Sequence, residues 1–159
     1  MLYFEIMNND LLHSSAIIAP FIAWLLAQAI KPLISRLSGD NFNFKRAFST
    51  GGMPSSHSST VAALATSLGI TQGIGSTEFA IAMVFSSVVV YDAMGIRQEA
   101  GKQAEMMNDW SKTFSEIFDE GQFTQANLKT MLGHTGSQVI GGIIFGILVG
   151  FAVTYAIGF

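Results

Sequence analysis

The chain contains no cysteine. Disulfides, thiolate metal sites and thiol catalysis are therefore excluded. Charge is scarce: 12% of the residues are Asp, Glu, Lys or Arg, against about 25% in an ordinary soluble domain. With a net charge of −3 there is no basic excess. No basic stripe with interleaved aromatics is present either, so nucleic acid is not an expected partner. Residues 1–10 are acidic and lack the basic start of a signal peptide, which makes the first apolar stretch an expected retained span. Basic residues are missing from most of the chain. All eight, Lys31, Arg36, Lys45, Arg46, Arg97, Lys102, Lys112 and Lys129, fall within 31–46 and 97–129.

What is present is mostly apolar. Half the chain is hydrophobic, with 13 Phe and 16 Gly. Four apolar stretches stand out, at residues 11–30, 58–74, 79–91 (extending past Asp92 to 96) and 139–159. A spanning helix needs about 20 apolar residues. The first and fourth stretches meet that length, the first ending at Lys31-Pro32. The second and third reach it only with their polar ends at the interface, and the short 71–78 link, holding Gly73 and Gly75, makes them an antiparallel hairpin. The expected fold is thus an all-α integral membrane bundle of about four transmembrane helices, one domain over residues 1–159. Four spans place 31–57 and 92–136 on one side, and the clustering of Lys and Arg makes that side cytoplasmic. Both termini then lie outside, the expected location being the plasma (inner) membrane.

Residues 110–129 read differently. Trp110, Phe114, Ile117 and Phe118 form one apolar stripe at helical spacing, with Lys112, Glu116 and Asp119 between them. Such a helix can lie in the headgroup plane as an interfacial amphipathic helix, or pack on the other helices.

Chemistry-bearing residues cluster on the expected cytoplasmic side. In Gly51-Gly52-Met53-Pro54-Ser55-Ser56-His57-Ser58, Pro54 suits the first position of a helix. Ser55, Ser56 and the free N–H groups of the first turn suit phosphate oxygens, and His57 can move a proton near neutral pH. Read as structure alone, the same residues make a Ser-capped helix start. Around His134, Thr135 and Gln138 have capping-box spacing, so His134 would precede the last span, where the helix dipole favours anions. The structural alternative there is a capped helix with an incidental histidine. Asp92 follows an apolar run, and carboxylates at the membrane boundary default to functional candidates. Arg97 and Lys102 suit pairing with it or binding phosphate. Glu105 and Asp109 share a helix face and leave room, with Asp92, for a divalent cation such as magnesium; the alternative is a solvated helix of ion pairs. Gly142, Gly146 and Gly150 recur at every fourth position, the spacing of close helix packing in lipid.

Together these residues resemble the divergent branch of the type 2 phosphatidic acid phosphatase and vanadium haloperoxidase-related superfamily. Three blocks carry the resemblance: residues 48–58 ending in Pro54-Ser55-Ser56-His57-Ser58, residues 91–104 with Asp92, Arg97 and Lys102, and residues 132–142 with Gly133-His134-Thr135. It covers about residues 10–158. The resemblance implies that His134 attacks phosphorus and becomes phosphorylated, and that His57 protonates the leaving group. It implies that Ser55 and Ser56 cradle the phosphate with Lys45, Arg46, Arg97 and Lys102, supported by Asp92, Lys129 and Gln138. No cofactor is required by that scheme. The sequence departs from the wider pattern at Gln138, where a carboxylate is usual, at Leu128, where an arginine is usual, and at Gln98, where the divergent branch commonly has a second arginine. The Lys45-Arg46 pair also lacks its following proline.

The expected function is a membrane lipid phosphatase acting on a phospholipid or prenyl phosphate, as phosphomonoester or diphosphate, at the cytoplasmic interface. Membrane lipid is the expected surrounding, and so small a bundle leaves room for a homodimer. Two alternatives stand beside it. One is a non-catalytic membrane protein that retains the fold, for which Gln138, Leu128 and Gln98 speak. The other is a metal-dependent lipid-headgroup phosphotransferase, because the run from Asp92 through Arg97 to Glu105 and Asp109 loosely resembles the CDP-alcohol phosphotransferases. Chelator sensitivity with a tolerant His134 would mark that case.

Overall fold

The computed structural model describes residues 14–37, 52–117, 128 and 135–157, with the backbone alone at 96–98. The calls on residues 1–13, 38–51, 118–127, 129–134 and 158–159 lie outside these. Among the described residues there are five helices and no strand: α1 Ser15–Leu37, α2 Ser56–Thr71, α3 Thr77–Met94, α4 Ile96–Ile117 and α5 Gly136–Ile157. Three helical stretches are long and apolar enough to cross a membrane, Ser15–Leu37, Thr77–Ile117 (through its apolar first part) and Gly136–Ile157. The protein is an integral membrane helical bundle.

The remaining helix, α2, is its centre. With 16 residues it is about 24 Å long, shorter than the hydrocarbon core. It packs against α1, α3 and α5 together. Its composition explains the position. The eight buried residues are Ser56, Ser58, Ser59, Val61, Ala62, Ala63, Ala65 and Ser67, none larger than valine. In lipid, burying an apolar side chain between helices releases no water, so helices associate where small side chains let backbones approach. Serine is tolerated there because its hydroxyl returns to the preceding turn: Ser59 donates to the Ser55 carbonyl at 2.8 Å.

The glycine ladder meets this helix as its spacing predicts. A Cβ at Gly142 would stand 2.6 Å from the Ser55 carbonyl oxygen, and one at Gly150 2.9 Å from Thr66 Cβ. At Gly146 it would run into the Ser59 carbonyl. The register climbs from Ser55 to Thr66 as it climbs from Gly142 to Gly150, so α2 and α5 run parallel. Helix α1 runs against them, its start tied to the end of α2 by the Ser67 hydroxyl donating to Ser15 at 3.0 Å. Its buried residues are Ser15, Ala19, Ala23, Ala27, Lys31 and Ser35, one per turn, with Pro32 beside Lys31. The α2–α3 hairpin also forms. Gly73 takes φ 87°, a left-handed turn open to glycine, and Ser76 caps α3 by accepting from the Phe79 N–H at 3.1 Å.

Three boundaries differ from the sequence reading. Helix α1 does not end at Lys31-Pro32 but continues through both to Leu37; neighbouring helices let a membrane helix keep a proline. Helix α2 starts at Ser56 rather than Pro54, because the Ser55 hydroxyl accepts from the Ser58 N–H at 3.3 Å and so takes the cap. The amphipathic helix begins at Ile96, immediately after the break at Gly95, and so contains Arg97, Lys102, Glu105 and Asp109 as well as Trp110, Phe114 and Ile117 of the stripe.

Candidate active site

The directions of the helices bring one end of each to the same end of the bundle. The end of α1, the start of α2 and the start of α5 meet there, and so does the end of α3. The Ser86 hydroxyl reaches the Val61 carbonyl at 3.3 Å, so antiparallel α3 carries Asp92 to about the level of Ser55. The first and third sequence blocks are joined directly. The Ser55 N–H donates to the Gln138 carbonyl at 3.0 Å, and a Cβ at Gly141 would press on the end of the Met53 side chain.

Within the Pro54-Ser55-Ser56-His57 turn the two serines divide their tasks. Ser55 is fully buried and structural: besides capping α2, its Oγ accepts from the Ser58 hydroxyl at 3.1 Å. Ser56 is buried as well, yet its Oγ has no hydrogen-bond partner. Its backbone N–H belongs to the first turn, where the helix has no internal acceptor to offer. Of the pair, Ser56 is therefore the one placed to receive an oxygen. His57, second in the helix, is exposed. Before the turn, Gly52 takes φ 96°, which a side chain would strain.

The other predicted residues fall into two groups. Asp92 is half-buried near the end of α3. Lys102 lies on the exposed side of α4, where Glu99 holds it at 2.7 Å; an exposed pair of this kind is weak. A hollow of about 410 Å³ opens at the α3–α4 corner, lined by Tyr91, Gly95, Glu99, Ala100 and Gln103. Glu105 and Asp109 are exposed on α4, and among the described residues no three His, Asp or Glu side chains gather as a metal-holding group. His134, Lys45, Arg46 and Lys129 lie outside the described residues, as does the Arg97 side chain.

Gln138 has a visible task. Its Oε1 accepts from the Thr135 N–H at 3.3 Å, one half of the capping box its spacing predicts. The Thr135 hydroxyl pairs with Ser137 at 3.0 Å instead of closing the other half. Leu128 is held by both its backbone groups: the Asn108 amide donates to its carbonyl and accepts from its N–H, each at 2.9 Å. Sequence reading missed Asn108, since nothing local signals a contact 20 residues away. It also missed Lys31, buried to 3% exposure on the inner face of α1. The signal was available, as Lys31 continues the every-fourth-residue spacing of Ser15, Ala19, Ala23 and Ala27.

No solved structure matches the chain. One similar protein is an uncharacterized membrane protein, YuiD, of Bacillus subtilis (strain 168), 32% identical over 154 residues that span 92% of this chain and 98% of that one. The model of the Divergent PAP2 family matches residues 12–149, taking in the α2 turn, Asp92 and the start of α5, and the chain belongs to that family.

Proposed function

We propose that the protein is a membrane lipid phosphatase that hydrolyses a phosphomonoester or diphosphate headgroup at the cytoplasmic interface. The observation that carries this reading is the 3.0 Å hydrogen bond from the Ser55 N–H to the Gln138 carbonyl. It holds the turn bearing His57 against the start of α5, which His134 precedes by two residues. Two imidazoles, one as nucleophile and one as proton donor, are what a two-step transfer uses. An imidazole nitrogen of His134 attacks phosphorus and the P–O bond to the lipid breaks. His57 gives its proton to the leaving oxygen. Water then gives a proton to His57 and attacks the phosphohistidine, breaking the P–N bond, releasing inorganic phosphate and restoring both histidines. Ser56, the α2 N-terminus, Lys45, Arg46 and Arg97 supply donors and positive charge for the three remaining oxygens, which is most of what phosphoryl transfer asks of a protein.

The test is turnover of phosphatidate, phosphatidylglycerophosphate and prenyl diphosphates by purified protein in detergent, with and without magnesium. His134→Ala and His57→Ala should each abolish hydrolysis, losing at least about a hundredfold, without lowering the melting temperature. Activity that survives both changes rejects the assignment.

A second reading has one observation in its favour. Gln138, where the wider superfamily has a carboxylate, gives its side-chain oxygen to the helix cap. A non-catalytic member that retains the fold would use it only so, and would turn over no phospholipid.

A further inference from the structure

One outward row runs the length of α3 and α4. It passes from Val84 and Val88 to Tyr91, then through Gly95, Glu99 and Gln103, and on to Met107, Trp110, Phe114 and Ile117, each three or four residues after the last. Residues at that spacing share a helix face. Both ends of the row are apolar and exposed. Its middle is polar and indented: small Gly95 and Ala100 leave the hollow of about 410 Å³ between Tyr91 and Gln103, with Glu99 beside it. The other faces of α4 have different surroundings. Gly101, Ala104 and Ser111 are buried, and Glu105, Asp109, Lys112 and Glu116 form an exposed charged row. Among the described helices α4 packs chiefly on α3, so its apolar row is not taken up by the bundle. An apolar stripe of this extent calls for a cover. Lipid is the nearest one, because α4 begins just after a membrane helix whose outward side meets acyl chains. Trp110 on that stripe suits the bilayer interface.

We propose that α4 rests this face on the bilayer surface, and that the polar notch between α3 and α4 is an elbow seat for one membrane lipid. The acyl chains lie along Val84 and Val88, and the headgroup enters the hollow. The headgroup is zwitterionic and carries an amine. Glu99 and Lys102, paired at 2.7 Å, present both signs side by side, so that an ammonium matches Glu99 and a phosphodiester matches Lys102. A purely anionic headgroup would meet the Glu99 carboxylate with nothing to offset it. Tyr91, Glu99 and Gln103 take no part in the hydrolysis proposed above, so the seat stands or fails independently of it.

The experiment uses the full chain carrying Trp24→Phe, which leaves Trp110 as the only tryptophan. The protein is placed in vesicles of phosphatidylethanolamine and phosphatidylglycerol in equal parts, with the acyl chains of one lipid brominated at a time, and Trp110 fluorescence is read. Both brominated lipids should quench Trp110. Brominated phosphatidylethanolamine should quench more, reporting a preference of about two- to fivefold, the range of an exposed ion pair. Glu99→Gln frees Lys102 and should erase or reverse that preference. Ala100→Phe fills the hollow and should also remove it, while Trp110 stays quenched because α4 still rests on lipid. A Trp110 that emits as in water and is not quenched overturns the proposal. So does a Trp110 shielded from bromine only as the protein-to-lipid ratio rises, which would make a second copy of the chain the cover. Equal quenching by the two lipids, or a preference that survives Glu99→Gln, overturns the seat. Should Ala100→Phe fail to fold, Glu99→Gln decides, since that side chain is exposed.

Discussion

Helices α2 and α3 are joined by one short turn and are both largely apolar, yet they have opposite fates. Half of α2 is buried, and all of that half is Ser, Ala or Val. Only Ala82 and Ala93 are buried in α3, while Ile81, Val84, Phe85, Val88 and Tyr91 point outward. In water the larger apolar side chains would go inside. A bilayer solvates them as well as a protein core does, so size and backbone approach decide instead. The difference teaches that the interior of this protein is set by what is small, and that a buried serine there belongs to the packing before it belongs to any site.

Substitutions should separate the two helices sharply. The largest effect is expected at Gly146→Leu, whose side chain would have to displace the Ser59 carbonyl. It should cost about 3 kcal/mol or more, the upper range of core overpacking, and show as loss of monodisperse protein on size exclusion. Recovery at the wild-type yield and melting temperature would mean that the α2–α5 seam does not hold the bundle. Next comes Ser55→Ala, which removes the α2 cap and the acceptor of the Ser58 hydroxyl. A loss of about 1–2 kcal/mol is expected by thermal unfolding.

Smaller still is Asn108→Ala, which releases Leu128. Its two hydrogen bonds are exposed, so a destabilisation of about 1 kcal/mol is expected, together with faster amide exchange at Leu128. Unchanged exchange there would show that the Asn108 contact does not restrain the segment before His134. On the outward face of α3, Val84→Leu and Val88→Leu should each stay within about 0.5 kcal/mol. A loss above 1 kcal/mol at either position would mean that this face meets a protein surface, such as a second copy of the chain, and not lipid.

Legibility followed the range of the interaction. The glycine ladder, the 71–78 turn and the Thr135–Gln138 cap could be read because each is a spacing along one helix or one turn. The Ser55–Gln138 bond links residues 83 positions apart, and no local pattern announces it. Lys31 was passed over because Lys-Pro after an apolar run looks like the end of a span. The structure carries the helix on for another turn and leaves the lysine inside. The serines were read as one phosphate-binding pair; packing separates them into a cap, Ser55, and an unpartnered hydroxyl, Ser56.

The sequence alone determined that the chain is a helical membrane protein, because low charge and long apolar runs have no other stable arrangement. It also determined the gathering of the basic residues into two segments, since charge cannot be left in hydrocarbon without cost. Only the tertiary structure decided that the shortest apolar helix lies at the centre, that the turn before it touches the start of the last helix, and that Lys31 faces inward. Those outcomes depend on how closely two backbones can approach, which is a property of pairs of helices that no single segment contains.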